Sequence, residues 1–253
     1  MSRVYHETTS LIHKNIKQDT SIRLVFLSGL GSPIRQQREA FFRRFALTSG
    51  ISYTALDYTR HAHQYKCSDN FQLPSFIPKT ADLFESFPEQ KLLLFGACFG
   101  GLISLIMSQK MPQKIAGAVV TSPTYELPSF PWAEQADNFL HQKMQEKTKN
   151  KKPTFIQLKK LASLHQLFLA TVKTVSKTPI QKNYHGPITI FHGQNDPLIP
   201  VENSFRIQEA LENPNLQLRI VPHMKHTMAL DKEMNQPISV LKQYLTAIKN
   251  PSC

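Results

Sequence analysis

The chain has 253 residues, of which 41% are hydrophobic, and it carries 30 lysines and arginines against 18 aspartates and glutamates. This composition excludes a disordered chain and fits one large α/β domain, and no window reaches the roughly 18 consecutive apolar residues of a membrane span. The three cysteines are odd in number and widely spaced, which excludes a disulfide framework and a cysteine zinc site.

The first part of the chain contains two strand patterns. It begins with Met1–Lys17, a polar segment without the apolar stretch of a signal peptide, so we expect a cytoplasmic protein. Period-2 and period-3.6 patterns then predict further elements in chain order. These elements are strands over Arg23–Ser28 and Ile51–Leu56, a helix over 35–49, a loop over 59–79 and a short helix near 81–86.

A sharp turn follows the third strand pattern, Lys91–Phe95, and precedes a helical pattern over Leu102–Gln109. In this turn Cys98 stands between Gly96 and Gly100, which is the spacing of the G-x-S-x-G nucleophile elbow with sulfur in place of the hydroxyl. The glycines allow strand and helix to pack closely, and the turn holds the central residue in a strained backbone conformation. The pattern therefore predicts that Cys98 is a nucleophile.

The alternation of strands and helices resumes after this turn but contains a long interruption without a strand pattern. Such alternation predicts right-handed crossovers and a mostly parallel sheet. We divide the chain into an α/β core of residues 1–122 and 186–253 and a helical cap insert of residues 123–185. The remaining core elements are strands over Ile115–Thr121, Pro187–His192 and Leu216–Val221 and helices over Val201–Leu211 and Ile238–Ile248.

The insert is basic. The segment Lys147–Asn195 contains nine lysines and no acidic residue, and Phe155–Ser176 has the apolar stripe of an amphipathic helix. Two interpretations stay open: a solvated lysine-rich face, or a basic rim that attracts an anionic membrane or an acidic partner. Phe130 and Trp132 are candidates for lining a substrate pocket, with ordinary cap packing as the alternative.

Two polar residues follow later strands in the order nucleophile, acid, histidine that elbow folds require. Asp196 lies in the loop after the strand that ends near residue 192, and it is the first acidic residue after Glu146. His226 lies in the loop after the next strand. In such a triad the carboxylate orients the histidine, and the histidine accepts the proton of the nucleophile. The nearest alternatives are Glu202 for the acid and His223 for the base.

Two backbone N–H groups are candidates for binding an oxyanion, those of Phe99 and Leu30. The turn that contains Leu30 also has two glycines of a dinucleotide fingerprint, but Ile34 replaces the third glycine and Pro33 interrupts the turn. A triad supplies base, nucleophile and charge stabilisation itself. We therefore expect no organic cofactor and no metal.

These motifs, in this order and at the ends of predicted strands, resemble the α/β-hydrolase fold family over about Arg23–Ile248. The His192–Pro200 run is similar to the acid loop of that family, and the Leu27–Gly31 loop and the Asp57–Tyr58 pair are similar to its small esterase and acyl-thioesterase branch. An elbow with cysteine in place of serine is similar to the elbows of dienelactone hydrolases and polyhydroxyalkanoate synthases. The resemblance implies the α/β-hydrolase fold, a mostly parallel central sheet flanked by helices, and an esterase or thioesterase activity.

A cysteine nucleophile limits the classes of substrate that we expect. The adjacent histidine and the N-terminus of the following helix favour the thiolate of Cys98. Such a thiolate favours thioesters, lactones and activated esters as substrates. With a poor leaving group, as in an amide or a simple alkyl ester, the tetrahedral intermediate expels the attacking thiolate again and no acyl-cysteine forms. We predict hydrolysis of a small-molecule acyl ester or thioester through an acyl-cysteine, without a nucleic-acid partner. Two alternatives stay open: acyl transfer from the same intermediate, and a non-catalytic protein that binds an anionic membrane or an acidic partner.

Overall fold

A computed structural model describes residues 12–18, 20–29, 37–58, 73–125, 182–226 and 231–250. The strands of this part of the chain are β1 (Ile12–Ile16), β2 (Ile22–Leu27), β3 (Ser52–Leu56), β4 (Lys91–Ala97), β5 (Ile115–Thr121), β6 (Ile188–Gly193) and β7 (Leu216–Val221). Its helices are α1 (Gln37–Thr48), α2 (Leu73–Ser86), α3 (Phe99–Lys110), α4 (Glu202–Leu211) and α5 (Asp231–Lys249).

The strands form one sheet in the order β1-β3-β2-β4-β5-β6-β7. All neighbouring pairs are parallel except β1 and β3, which pair antiparallel at one edge. Parallel neighbours need crossover connections, and α1, α2, α3 and α4 supply those that follow β2, β3, β4 and β6. The predicted mostly parallel sheet is therefore confirmed. The carboxyl ends of β4, β6 and β7 lie at the same edge of the sheet, so the loops that follow these strands come together there.

Helices cover both faces of the sheet, and successive strand residues point to opposite faces, so every residue of the central strand β2 is buried. In β2, Val25 and Leu27 belong to a core cluster beneath α2, α3 and α4, whereas Leu24 and Phe26 belong to a second cluster beneath α1 and α5. Apolar residues at every position of a central strand are thus explained by helices on both sides. Helices flanking the central sheet agree with the predicted fold class.

Three elements differ from the sequence-based expectations. β1 was not predicted, because Lys14 and Asn15 interrupt the apolar pattern of a strand that lies at the sheet edge. Helix α2 begins at Leu73, inside the segment predicted as loop, because Pro78 in its interior disguises the helical spacing. Helix α5 begins at Asp231, seven residues before the expected Ile238, with Pro237 again inside the helix.

Most of the predicted cap lies outside the described residues, which include only 123–125 and 182–185 of the insert. Phe130, Trp132 and the amphipathic segment Phe155–Ser176 fall in the part that is not described, and so does Leu30. No helix in the described part of the chain combines the length and the apolar character needed to cross a membrane.

A buried ion pair lies near the amino ends of the central strands, away from the elbow. Arg23 of β2 is fully buried, and its Nε donates to Glu89 Oε2 over 2.9 Å. The guanidinium also donates to Asn15 Oδ1 over 2.6 Å and to Thr54 Oγ1, and it stacks 4.4 Å from the centroid of the Phe87 ring. These partners satisfy a charge that would otherwise be costly to bury.

Candidate active site

Cys98 occupies the turn between β4 and α3. Its φ of 53° lies in the left-handed region, where a residue other than glycine is strained. Close packing around the turn explains the flanking glycines: a Cβ on Gly100 would lie 2.2 Å from Leu27 O, and a Cβ on Gly96 would lie 2.3 Å from Gly100 O. The backbone N–H of Cys98 donates to Thr121 O of the neighbouring strand over 2.9 Å. The turn therefore presents the sulfur at the carboxyl edge of the sheet.

Asp196 lies in the loop after β6, with a fully buried side chain. One carboxylate oxygen accepts hydrogen bonds from the backbone N–H groups of Leu198 (2.8 Å) and Ile199 (3.0 Å). Burial alone would raise the pKa of Asp196, but the charge of His226 and hydrogen bonds from His192, His226 and the Ile199 N–H outweigh it and hold the pKa well below its usual range. Asp196 is therefore a fixed negative charge inside the site.

His226, in the loop after β7, contacts this carboxylate directly. Its Nδ1 lies 2.9 Å from Asp196 Oδ2 and 3.1 Å from Oδ1. The two loops approach closely because Gly193 has no side chain: a Cβ there would lie 2.2 Å from Met224 O. The alternative histidine, His223, is exposed at a turn position with a φ of 61°. The structure thus brings His226 to the acid loop.

Cys98 and His226 shift the pKa of each other, and His226 contacts the Asp196 carboxylate, so the three side chains act together. Burial alone would raise the pKa of the Cys98 thiol, but the charge of His226 and hydrogen bonds from His226, Thr124 and the Phe99 N–H lower it. Burial would likewise lower the pKa of His226, but the charges of Cys98 and Asp196 raise it to about 10. Both directions favour a thiolate–imidazolium pair over a neutral thiol and imidazole.

Two further residues near the sulfur were not predicted from the sequence. Thr124, which follows β5, places its Oγ1 3.3 Å from Cys98 Sγ. Arg38 of α1 adds a second positive charge: burial lowers its pKa, whereas the negative charge of Cys98 raises it. A polar residue three positions after a central strand was a usable signal for Thr124, but the sequence contains no comparable signal for Arg38.

His192 connects the acid loop to helix α4. Its Nε2 lies 2.9 Å from Ile199 O and 3.5 Å from Asp196 Oδ2, and its Nδ1 lies 2.6 Å from Ser204 Oγ. Because a carbonyl can only accept, Nε2 carries the hydrogen and Nδ1 accepts from the Ser204 hydroxyl. This fully buried histidine therefore fixes the loop that holds the carboxylate.

Phe99 is the first residue of α3, and a hydrogen bond from its N–H lowers the pKa of the Cys98 thiol. The second proposed oxyanion donor, Leu30, lies outside the described residues, but the loop that leads to it passes beside the elbow. A Cβ on Gly29 would lie 3.2 Å from Cys98 Cβ. In the part of the chain that the structure describes, no group of three or more His, Cys, Asp or Glu side chains is arranged to hold a metal ion.

Comparison with known proteins gives a family and a fold. A family model described as serine aminopeptidase, S33 matches residues 23–233. Alpha/beta hydrolase domain-containing protein 10 from mouse has 14% identity and a TM-score of 0.64 over 93% of each chain. A lipase-esterase related protein from Clostridium acetobutylicum (15% identity, TM-score 0.66) covers 92% of this chain and 99% of its own. An esterase from Pyrococcus furiosus (16% identity, TM-score 0.61) covers 95% and 92%. At such identities the structures show a shared fold.

Proposed function

This chain belongs to the serine aminopeptidase S33 family of α/β hydrolases, and from this premise we propose that it hydrolyses carboxylic esters or thioesters through an acyl-cysteine. The observation that carries the proposal is the group of Cys98, His226 and Asp196 at the carboxyl edge of the sheet, where His226 Nδ1 lies 2.9 Å from Asp196 Oδ2 and the charge of His226 lowers the pKa of the Cys98 thiol. Esters as substrates are supported by the names of similar structures, a lipase-esterase related protein and an esterase. The family is described as a serine enzyme, whereas this elbow carries cysteine.

Acylation begins from the thiolate. Cys98 Sγ attacks the carbonyl carbon, a C–S bond forms, and the negative charge moves from sulfur to the carbonyl oxygen. The Phe99 N–H, which lowers the pKa of the Cys98 thiol in the resting site, is then available to the oxyanion. The His226 imidazolium gives its proton to the departing alcohol or thiol as the C–O or C–S bond to the leaving group breaks. The products of this half-reaction are the acyl-cysteine and a neutral leaving group.

Deacylation uses the same histidine as a base. The acylated sulfur no longer carries a charge, so one of the causes that raise the pKa of His226 disappears while Asp196 remains. The neutral imidazole can then take a proton from water as the water oxygen attacks the thioester carbonyl. Collapse of the second tetrahedral intermediate releases the carboxylic acid and regenerates the thiolate–imidazolium pair.

Thioesters and activated esters suit this site best. In the first tetrahedral intermediate the leaving group competes with the Cys98 thiolate for expulsion, and the low pKa of Cys98 makes it a good leaving group itself. An alkoxide therefore departs less readily than a thiolate or a phenolate. We expect a higher kcat/KM for a thioester than for the alkyl ester with the same acyl group.

Steady-state hydrolysis of matched acyl thioesters and oxygen esters tests the proposal in the wild type, Cys98→Ala and His226→Ala. Both variants should lose turnover, by at least about a thousandfold, because nucleophile and base act as a unit. His223→Asn is the matched control, since it changes an exposed histidine in the same loop and asparagine tolerates a positive φ.

Full activity in both active-site variants would refute the assignment. The reaction products separate hydrolysis from acyl transfer. Release of free acid in the presence of alcohol and amine acceptors supports hydrolysis, whereas an acylated acceptor as the main product would show a transferase.

A further inference from the structure

Thr124 is a buried polar residue beside the nucleophile that the proposed reaction does not use. Its side chain is 1% exposed, its Oγ1 lies 3.3 Å from Cys98 Sγ, and its backbone N–H donates to Cys98 O over 3.2 Å. The residue follows β5, whose Thr121 is paired with Ala97 of β4 in the sheet register. Two adjacent strands therefore fix the hydroxyl relative to the sulfur.

We propose that Thr124 is a positioning residue whose hydroxyl donates a hydrogen bond to Cys98 Sγ and holds the resting nucleophile as a thiolate. A hydroxyl can donate or accept, but an anionic sulfur has no hydrogen to give, so the hydroxyl must be the donor. Hydrogen bonds to charged groups are the stronger class, which makes this contact important for the ionisation state. Its meaning for catalysis rests on the proposed function, whereas the hydrogen bond itself can be tested without a substrate.

Charged groups also act on the sulfur from other elements. The imidazolium of His226 approaches from the loop after β7, with the Asp196 carboxylate behind it, and the Arg38 guanidinium acts from α1. The charge of His226 lowers the pKa of the Cys98 thiol, and the hydrogen bond from Thr124 lowers it in the same direction. Because Thr124 is neutral, its replacement removes the hydrogen bond while the charges stay in place.

The hydrogen bond has opposite effects on the amount of thiolate and on its reactivity. It increases the thiolate fraction at low pH because it stabilises the charged form. It also lowers the intrinsic nucleophilicity of the thiolate, because charge leaves the sulfur in the transition state while the hydrogen bond is strongest in the resting state. Loss of Thr124 should therefore slow Cys98 at low pH and accelerate it at high pH.

The test measures thiol–disulfide exchange with 4,4′-dithiodipyridine by stopped flow between pH 4 and 10. The Cys98 thiolate attacks one sulfur of the probe, a mixed disulfide forms, and pyridine-4-thione leaves. All proteins carry Cys67→Ser and Cys253→Ser, so that only Cys98 reacts. Thr124→Val removes the hydroxyl at nearly constant shape and Thr124→Ser retains it. Thr189→Val is the matched control, because it removes a buried strand hydroxyl that contacts a tyrosine.

We expect the midpoint of the Thr124→Val profile to rise by about one pH unit. Its plateau rate at high pH should rise about threefold, from a Brønsted coefficient near 0.45. The curves of wild type and Thr124→Val therefore cross. Thr124→Ser and Thr189→Val should keep the wild-type midpoint.

Two results would overturn the proposal: an unchanged midpoint in Thr124→Val, or a rate lowered equally at low and high pH, which would indicate a displaced cysteine. If the wild type has a low midpoint and its curve crosses that of Thr124→Val, the role of Thr124 is supported. If the same wild-type protein hydrolyses no ester or thioester, only the proposed function is contradicted. The two proposals thus fail independently.

Discussion

Replacing Cys98 should change the protonation of His226, because the thiolate is the largest single cause that raises the pKa of His226 to about 10. Two opposite charges about 4 Å apart interact with about 4 kcal/mol at an effective dielectric constant of about 20. One pKa unit corresponds to about 1.4 kcal/mol, so the thiolate accounts for up to about three units. In Cys98→Ala the Asp196 carboxylate still favours the charged ring, whereas burial disfavours it. Loss of the thiolate should therefore lower the pKa of His226 by at least about two pH units.

The assay is NMR titration of the imidazole nitrogens in protein labelled with ¹⁵N-histidine, between pH 5 and 11. A spectrum of His226→Gln assigns the resonance. Cys98→Ser is the matched control for size: its hydroxyl stays neutral, so it should lower the pKa of His226 as Cys98→Ala does. An unchanged His226 titration in both variants, or a wild-type midpoint near the ordinary 6.5, would refute the thiolate–imidazolium pair.

Three further predictions concern the acid loop, the elbow and the buried ion pair. Asp196→Asn should lower kcat/KM about 10³- to 10⁴-fold in steady-state kinetics, because the buried carboxylate orients His226, and a loss below tenfold would contradict that role. Gly100→Ala should destabilise the fold by about 3 kcal/mol or more in urea unfolding, since its Cβ would meet a carbonyl oxygen at 2.2 Å. Gly50→Ala has a φ of +67° but no atom within 4 Å, so it should cost only about 1 kcal/mol, and equal costs would contradict the packing argument. Glu89→Gln should cost about 3–5 kcal/mol at pH 7 because it leaves the buried Arg23 unpaired. Burial would raise the pKa of Glu89, but hydrogen bonds to Arg23 lower it below the ordinary 4.5. The pair therefore stabilises the fold above pH 4.5 and loses this effect as pH falls through the lowered pKa, so urea unfolding should show a difference from the variant that shrinks in acid.

The parts of the fold that could be predicted from the sequence are those with strong local patterns. The central strands are continuous apolar runs because helices bury both faces of the sheet, and the alternation with helices then predicts parallel pairing. The strand Ile12–Ile16 carries no such signal, since it lies at the edge of the sheet formed by the described strands. Pro78 in α2 and Pro237 in α5 argue against a helix in the sequence, although both helices form in the fold.

The candidate site divides in the same way. Cys98, Asp196 and His226 were identified because each follows a strand at a spacing that the fold constrains, and the structure brings all three together. Thr124 and Arg38 act on the sulfur from elements distant in sequence, and such contacts depend on sheet order and helix placement. No local pattern encodes these contacts, so they emerge only when the chain is folded.

Intact-protein mass spectrometry after rapid mixing with a panel of acyl thioesters and activated esters would detect the acyl-cysteine itself. We expect a transient mass increase equal to the acyl group on the wild type, located on Cys98 by peptide mapping and absent from Cys98→Ala. Turnover of the same substrates without any acyl adduct, or an adduct of equal amount on Cys98→Ala, would contradict the acyl-cysteine mechanism.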